Sequence, residues 1–186
     1  MKKVISDLQD ARHVSVDIET FANSPDAALA AIGAAAWAPG ERVDRFYITV
    51  SDPDGRYDPE TIRWHARGGL PTASMGADQP PNTLKFALNE FSLWARGQGL
   101  QSEGGARLWA HATFDLPILD LAFNRAGLSV PWHYRNARDL RTLYDLTGGR
   151  PDLDRDGMKH HAVQDAFHQL IEVVTCLGIE SDLYSD

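Results

Sequence analysis

Strict alternation of apolar and polar residues in the segment 13–19, HVSVDIE, is the feature that most constrains the fold of this chain. Side chains along a β-strand point to opposite faces in turn, so Val16 and Ile18 share one face and Asp17 and Glu19 share the other. The pattern predicts a half-buried strand whose apolar face packs on a core. For an isolated pair of carboxylates on the second face, contact with solvent is the simplest explanation.

The segments that follow predict an α/β protein. Residues 28–38 and 42–50, ALAAIGAAAWA and RVDRFYITV, are expected to form a hairpin that extends the first strand into a three-stranded antiparallel unit, although the alanines also suit a helix. A further short strand is expected at 106–111, ARLWAH. Helices are expected at about 58–68, 82–96, 113–127, 139–146 and 159–177. The third helix would use Thr113 as its N-cap and end at Gly127.

Composition indicates one soluble domain. The length of 186 residues and the 43% of hydrophobic residues suffice for one core, so a single domain over residues 1–186 is expected. No window approaches the roughly 18 apolar residues that a membrane span needs, and no export signal is recognisable. Cys176 is the only cysteine, which excludes an internal disulfide and a cysteine-based zinc site and favours a cytoplasmic location. The net charge of −8 argues against a broad, non-specific nucleic-acid binder, yet it allows an enzyme whose positive charge is bound metal.

Two further acidic residues and a pair of histidines are candidates for chemistry. Asp115 follows the predicted strand ARLWAH, at a strand-to-helix junction where functional groups of α/β proteins gather. A carboxylate in the first turn of a helix is also explained by the helix dipole. Asp165 borders the apolar stripe of the last helix and comes shortly after His160 and His161. An i,i+4 surface pair of His161 and Asp165 is the simpler explanation of that segment.

The order of these groups resembles that of the DEDDh exonucleases of the RNase H-like superfamily. Asp-x-Glu on the N-terminal strand is followed by Phe-Asp opening a central helix and by His-x4-Asp at the C-terminal helix. The resemblance extends over VSVDIETFANSPDAALAAIGAAAW, DPETIRWHARGG, WAHATFDLPILDLAFNRAGLSVPWHYRNARDLRTL and KHHAVQDAFHQ, which together cover nearly the whole chain. It is strongest to the compact exoribonuclease-like branch of phages and bacteria that includes RNase AS. RNase T, oligoribonuclease and polymerase proofreading subunits resemble the chain less closely.

The resemblance implies an α/β, RNase H-like fold with a five-stranded mixed sheet, three antiparallel and two parallel strands, flanked by helices. It assigns Asp17, Glu19, Asp115 and Asp165 as ligands of two Mg²⁺ or Mn²⁺ ions. It assigns His160 as the general base, because the His-x4-Asp spacing selects this histidine over its neighbour. It also implies 3′-5′ hydrolysis of single-stranded RNA or DNA, with RNA favoured and nucleoside 5′-monophosphates released. Relatives of this kind are often dimers, so a homodimer is an open expectation.

Substrate contacts are less constrained by the sequence. Single strands are usually held by stacking on aromatic rings and by cations along the backbone. The candidates are Thr20, Phe21, Trp64, His111, Trp132, Tyr134, Arg138 and Arg141. The aromatic and basic members of this set are explained equally well by core packing or by surface ion pairs. Two departures from the family pattern fall nearby, since His111 stands where many members have Asn and Leu116 follows Asp115 where a polar residue is frequent.

Two other functions are compatible with the sequence. One is a nucleic-acid-binding adaptor that kept the fold and lost the chemistry. The other is a metal-dependent phosphoesterase for small nucleotides. A complete set of four acids and a histidine favours an enzyme over the adaptor, because concentrated negative charge near phosphates gives a pure binder nothing.

Overall fold

The computed structural model describes residues 7–69, 82–154, 160–180 and 183. Its strands are β1 (His13–Thr20), β2 (Leu29–Trp37), β3 (Asp44–Thr49), β4 (Arg107–Ala110) and β5 (Ala137–Asp139). They form one sheet in the order β3-β2-β1-β4-β5. β2 pairs antiparallel with β1 and with β3, whereas β4 runs parallel to β1 and β5 runs parallel to β4. The predicted sheet of three antiparallel and two parallel strands is confirmed.

The first two strands show how the sequence makes this sheet. In β1 the predicted apolar face is buried, with Val16 inaccessible and Ile18 nearly so, but the opposite face is buried as well, so the prediction of a half-buried strand is wrong. β2 is rich in alanine, which favours a helix in an isolated peptide. It is nevertheless a strand because all nine of its residues are buried between layers of helix, and packing outweighs intrinsic propensity. Its small side chains also let helices approach the sheet closely.

In the described parts of the chain, five helices of six residues or more flank the sheet. They are α1 (Pro59–Trp64), α2 (Leu84–Gly97), α3 (Asp115–Arg125), α4 (Leu140–Thr147) and α5 (Ala162–Cys176), and α1 continues into a π-helical turn at His65–Gly69. α2 and α3 pack on the apolar face of β1 through a core that includes Leu88, Phe91 and Phe123. α5 packs on the opposite face, where Leu170 and Val174 contact the β2 side. Within the described residues, no helix is both long and apolar enough to cross a membrane.

The start of α3 differs from the prediction. The N-cap is Phe114 rather than Thr113, and no side chain caps this helix. Asp115 is the first helical residue, and its Oδ2 accepts a hydrogen bond from the backbone N–H of His111 at 2.8 Å. This bond closes the turn before the helix and replaces a conventional cap. The predicted stop is confirmed, since Gly127 follows the helix with a φ of 69°, a conformation that glycine adopts without strain.

The last helix begins later than predicted. α5 starts at Ala162 rather than near 159, and Lys159 itself lies outside the described residues. His161 is the N-cap with an extended backbone, and His160 has a φ of 61°. A residue in the left-handed region cannot continue a right-handed helix, so the chain turns at His160. The histidine proposed as a base therefore stands in a turn rather than on the helix.

Candidate active site

Three of the predicted acidic residues meet at the centre of the sheet. Asp17 and Glu19 project from β1, and Asp165 projects from the first turn of α5. One carboxylate oxygen from each lies within 4.8 Å of the others. Glu19 and Asp165 are buried and Asp17 is half-buried. Residues nearly 150 positions apart thus form one acidic cluster, which we call the carboxylate cluster.

Asp115 lies beside this cluster. It is 2% exposed, at the point where the chain leaves β4 and enters α3. β4 is the parallel neighbour of β1, so the carboxyl ends of both strands open on the same edge of the sheet. The negative charge of Asp115 is the main neighbouring charge that raises the pKa of Asp17. All four predicted acids therefore converge on one place.

Burial and mutual repulsion make Asp17, Glu19 and Asp115 hold their protons. Burial is the largest cause that raises the pKa of Asp17 well above its usual range, and the charges of Asp115, Glu19 and Asp165 add to it. Burial, followed by the charges of Asp165 and Asp115, raises the pKa of Glu19 to about 8. Burial also raises the pKa of Asp115 to about 7, although the His111 N–H and the Arg141 charge oppose it. Crowded, desolvated oxygen ligands of this kind suit hard divalent cations such as Mg²⁺ or Mn²⁺.

The metal-free protein is expected to lose stability as the pH rises from about 5 to about 8. Glu19 has a pKa of about 8 in the folded protein against an ordinary 4.5, so the folded state keeps a proton that the unfolded chain releases. This stabilisation is complete below the ordinary pKa and disappears as the pH passes through about 8. Thermal unfolding in the presence of a chelator, at several pH values across this range, measures the effect. Glutamine cannot ionise, so Glu19→Gln should make stability less dependent on pH. A slope equal to that of the wild type would contradict the raised pKa of Glu19.

Gln169 is a member of the site that the sequence reading missed. Its Nε2 donates to Oδ1 of Asp17 at 2.8 Å, and its Oε1 accepts from the Ser15 hydroxyl at 2.9 Å. The amide is 3% exposed and fixes the orientation of the Asp17 carboxylate. A signal was present, because Gln169 lies one turn after Asp165 and Ser15 lies on the same strand face as Asp17.

Gly33 lets the last helix reach the carboxylate cluster. It is the residue of β2 that pairs with Asp17 in the antiparallel register. A Cβ at this position would lie 2.1 Å from the carbonyl carbon of Ala162 and 2.2 Å from the backbone nitrogen of Val163. Such distances are far below van der Waals contact, so only glycine allows the start of α5 to lie on the sheet. The position of Asp165 beside β1 depends on this approach.

Gly33→Ala is expected to displace the start of α5 from the sheet. Because both neighbouring atoms belong to the backbone, the overlap cannot be relieved by a side-chain rotation, and a cost on the order of 1–3 kcal/mol is expected. The free energy of unfolding should fall by that amount, and turnover should fall further because Asp165 leaves its place. Urea unfolding and an activity assay measure the two effects. The control is Gly97→Ala, where a Cβ meets nothing within 4 Å; equal behaviour of the two variants would contradict the close-approach explanation.

The adjacent histidines have different surroundings. His160 is exposed, and its ring meets the ring of Trp64 edge to face with centroids 4.6 Å apart. His161 stacks on Tyr47 at 4.5 Å, and its Nδ1 is buried without a hydrogen-bond partner among the described residues. His160 is therefore the histidine with solvent access at the edge of the site. His161 instead packs the start of α5 against β3.

A cleft of about 460 Å³ opens beside the carboxylate cluster. Its floor includes Glu19, and its walls include Trp64, His65 and Phe114. His65 was not predicted as a site residue. It is 7% exposed, and its Nε2 lies 2.8 Å from the carbonyl oxygen of Thr20, so it joins the π-helical turn to the end of β1. The cleft is lined by both aromatic and acidic side chains and has room for a nucleotide-sized ligand.

The predicted substrate contacts are not all near this cleft. Thr20 and Trp64 line it. Phe21 follows Thr20 and packs on His65 and Tyr57. His111 lies at the end of β4 and donates its backbone N–H to Asp115.

The remaining candidates lie elsewhere. Arg138 uses its guanidinium on the backbone carbonyls of Arg135 and Ala137, so the structure does not bring it to the cluster. Trp132 packs on Phe123 in the core. Tyr134 is exposed beside Arg135, with which it forms a hydrogen bond.

Two comparisons with known proteins bear on this site. The model of the 3′-5′ exoribonuclease Rv2179c-like domain family matches residues 12–177, a span that contains every member of the carboxylate cluster and both histidines. No curated protein matches the chain.

Solved structures share the fold. The nuclease domain of 3′hExo, a DEDDh family member bound to rAMP, is 15% identical with a TM-score of 0.60, over 90% of this chain and 92% of that one. The zinc-bound E. coli exonuclease I in complex with single-stranded DNA is 14% identical with a TM-score of 0.57, over 95% of this chain and 42% of that one. Exonuclease I from Methylocaldum szegediense is 15% identical with a TM-score of 0.60, over 94% and 42%. The chain thus spans less than half the length of these exonuclease I proteins.

At identities this low, the structural likeness shows a common RNase H-like fold and nothing further. Family membership follows from the family model, which covers most of the sequence, from the strand that carries Asp17 to the helix that carries Asp165. As the DEDDh resemblance predicted, the chain belongs to the 3′-5′ exoribonuclease Rv2179c-like domain family.

Proposed function

We propose that this protein is a metal-dependent 3′-5′ exonuclease that hydrolyses the terminal phosphodiester of single-stranded nucleic acid, with RNA favoured over DNA. The observation that carries the proposal is the meeting of four desolvated carboxylates beside a cleft with aromatic walls. The family description adds support for RNA. Residues 1–186 would act as one exonuclease domain; a cytoplasmic location and a homodimer stay predictions.

The carboxylates have the chemistry of a divalent-cation site. Asp17, Glu19, Asp115 and Asp165 would hold two Mg²⁺ or Mn²⁺ ions, which would supply the charge that makes bound water nucleophilic and that stabilises the leaving oxygen. Gln169 keeps the Asp17 carboxylate in one orientation, as a metal ligand would require. The raised pKa values of Asp17, Glu19 and Asp115 mean that these three groups ionise fully only when positive charge arrives, so cation binding should release protons.

His160 would act as the general base. It would accept a proton from the attacking water as oxygen bonds to phosphorus, and the bond from phosphorus to the 3′ oxygen of the preceding nucleotide would break. The leaving 3′ oxygen would take up a proton from solvent, so the products are a nucleoside 5′-monophosphate and a strand shortened by one nucleotide with a free 3′ hydroxyl. Histidine suits this role because its ordinary pKa lies near neutral pH. Its left-handed backbone is a conformation that non-glycine residues adopt at some energetic cost, and such residues gather at functional sites.

The cleft would receive the 3′-terminal nucleotide. Trp64 and Phe114 offer ring surfaces on which a base can stack irrespective of its identity. Glu19, at the end of the cleft next to β1, is placed to accept a hydrogen bond from a sugar hydroxyl. An enzyme built in this way would recognise a strand end rather than an internal sequence.

The two other functions predict different behaviour. An adaptor would have no use for carboxyl groups whose desolvation destabilises the metal-free fold. A phosphoesterase for small nucleotides would hydrolyse mononucleotide esters as fast as oligomers. No contact in the described residues favours either of these over an exonuclease.

Incubation with end-labelled oligonucleotides tests the proposal. A 5′-labelled single-stranded RNA and the corresponding DNA would be incubated with the protein and Mn²⁺, and with a chelator as control. The proposal predicts a ladder that shortens from the 3′ end one nucleotide at a time, faster for RNA, and no reaction with the chelator. Internal cleavage, release from the 5′ end, or absence of any product would contradict it.

A further inference from the structure

Arg150 is held in place by a buried carboxylate outside the carboxylate cluster. Its Nε and Nη2 each lie 2.8 Å from Oε1 of Glu172, which is 1% exposed. Glu172 also accepts a hydrogen bond from the Tyr144 hydroxyl and lies 3.1 Å from Nε2 of His168. A buried carboxylate is tolerated only when its lone pairs are satisfied, and these partners satisfy them. The guanidinium is thereby fixed in place, while about half of the Arg150 side chain remains exposed.

This anchor places Arg150 near the proposed catalytic groups. Glu172 and Asp165 are seven residues apart on α5, so they lie on the same face of the helix two turns apart. Burial lowers the pKa of Arg150, but the hydrogen bond and charge of Glu172, with the charge of Asp165, raise it overall. Asp165 and Arg150 are therefore electrostatic neighbours.

Arg141 comes from a different part of the chain and lies near Asp115. It is the second residue of α4, and its Nη1 lies 3.5 Å from the Thr113 hydroxyl, two residues before Asp115. Asp139 caps α4 and accepts the backbone N–H of Ala112 at 3.1 Å, which ties the start of α4 to the turn before α3. The Arg141 guanidinium is therefore presented beside Asp115.

The positive charges of both guanidinium groups affect the pKa of His111. Burial is the largest cause that lowers the pKa of His111, and the charges of Arg141 and Arg150 lower it further. Nδ1 of His111 is buried and has no hydrogen-bond partner in the described part of the chain. Arg141 and Arg150 are thus electrostatic neighbours of His111, which follows β4.

The arginines and the cleft belong to different parts of the fold. The cleft is lined by the end of β1, α1 and the π-helical turn, whereas Arg141 follows β5, two strands away from β1 in the sheet order. A strand whose 3′ nucleotide fills the cleft and whose terminal phosphodiester reaches the cluster would continue over the arginines. Guanidinium groups bind phosphate through paired hydrogen bonds, and positive charge here would offset the repulsion of phosphates by the acids.

We propose that Arg141 and Arg150 bind the phosphate immediately upstream of the scissile one, which makes the enzyme select chains of at least three nucleotides over single phosphodiesters. This inference rests on the proposed exonuclease function and deepens it. Glu172 is a positioning residue in this account, since it acts through Arg150.

The first test compares two substrates. A trinucleotide has an upstream phosphate, whereas the p-nitrophenyl ester of thymidine 5′-monophosphate has only the phosphodiester to be cut and yields the nucleotide and p-nitrophenol with water. Arg141→Ala and Arg150→Met should lower kcat/KM for the trinucleotide at least about tenfold, as expected for charge-assisted hydrogen bonds, and change it less than about twofold for the ester. Equal losses on both substrates, or no loss on either, would overturn the inference.

The second test removes the charge from the substrate instead of the protein. A trinucleotide with an uncharged methylphosphonate in place of the upstream phosphate should be a poorer substrate for the wild type by about the same factor. The Arg141→Ala variant should no longer distinguish this analogue from the natural trinucleotide. A wild type indifferent to the replacement would overturn the inference even if Arg150→Met failed to fold.

Binding gives a readout that does not need catalysis. Affinity for a labelled trinucleotide can be measured by fluorescence anisotropy with Ca²⁺, and it should fall about tenfold in Arg141→Ala. The control is Arg135→Ala, which should keep the wild-type affinity, because Arg135 is an exposed arginine that pairs with Glu103. Equal affinities of Arg141→Ala and the wild type would overturn the phosphate site. If Arg141→Ala lost affinity but the wild type had no nuclease activity, the proposed function would be refuted and the phosphate site would be supported.

Discussion

Asp17→Asn is expected to lower turnover of oligonucleotides by at least about 10³-fold while making the metal-free protein more stable. A neutral amide is a poor ligand for a hard cation, and loss of a ligand of this kind costs several kcal/mol in the transition state. The amide oxygen can still accept the hydrogen bond from Gln169, so the local packing is preserved. At neutral pH and above, the folded wild type must either keep Asp17 protonated or bury a charge that Asp115, Glu19 and Asp165 repel, and asparagine avoids both costs, so the free energy of unfolding should rise.

The opposite directions of these two effects make the experiment selective. Asp120→Asn is a matched control, because Asp120 is an exposed residue of α3. It should change neither activity nor thermal unfolding. If Asp17→Asn kept a turnover near that of the wild type, the assignment of Asp17 would be wrong. If it lost activity because it unfolded, the expected gain in stability would be refuted.

His160→Asn is expected to lower kcat by on the order of 10²–10⁴-fold, the usual contribution of a general base. Asparagine is chosen because it tolerates a positive φ, so the turn at His160 is retained and the result reports on the imidazole. Single-turnover measurements at saturating substrate separate the chemical step from binding. Affinity for substrate should change much less than the rate.

His161→Asn tests the choice between the two histidines. Asparagine is a good N-cap, so the start of α5 should be kept while the stacking on Tyr47 is lost. A modest loss of stability and activity is expected. A larger loss of kcat in His161→Asn than in His160→Asn would transfer the role of base to His161.

The parts of the fold that sequence could predict are those with a strong local pattern. The alternation of 13–19 gave β1 and its acidic face, and Gly127 gave the end of α3. β5 lies in a segment rich in turn-forming residues and has only three residues, so its strand conformation comes from pairing with β4 rather than from its own sequence. The start of α5 was placed too early because periodicity cannot reveal a left-handed residue at position 160.

In the site, too, local patterns could be predicted from the sequence and tertiary contacts could not. The four acidic residues could be predicted because their types and order resemble a family, and each is presented by a strand or a helix start. Long-range contacts left no such signal: the hydrogen bond from Gln169 to Asp17 joins residues 152 positions apart. Gly33 is indistinguishable in sequence from its small neighbours, and its role is defined only by the backbone of α5 above it. The anchoring of Arg150 by Glu172 likewise depends on tertiary packing.

Calorimetric titration of the metal-free protein with Mn²⁺ tests the central claim most directly. Because Glu19 and Asp115 have raised pKa values, of about 8 and about 7, cation binding near neutral pH should release protons. The heat should therefore depend on the ionisation enthalpy of the buffer. We expect wild-type protein to bind two ions with proton release and Asp17→Asn to bind fewer and more weakly. Equal binding by the two proteins, or no binding by the wild type, would contradict the claim that these carboxylates form the catalytic centre.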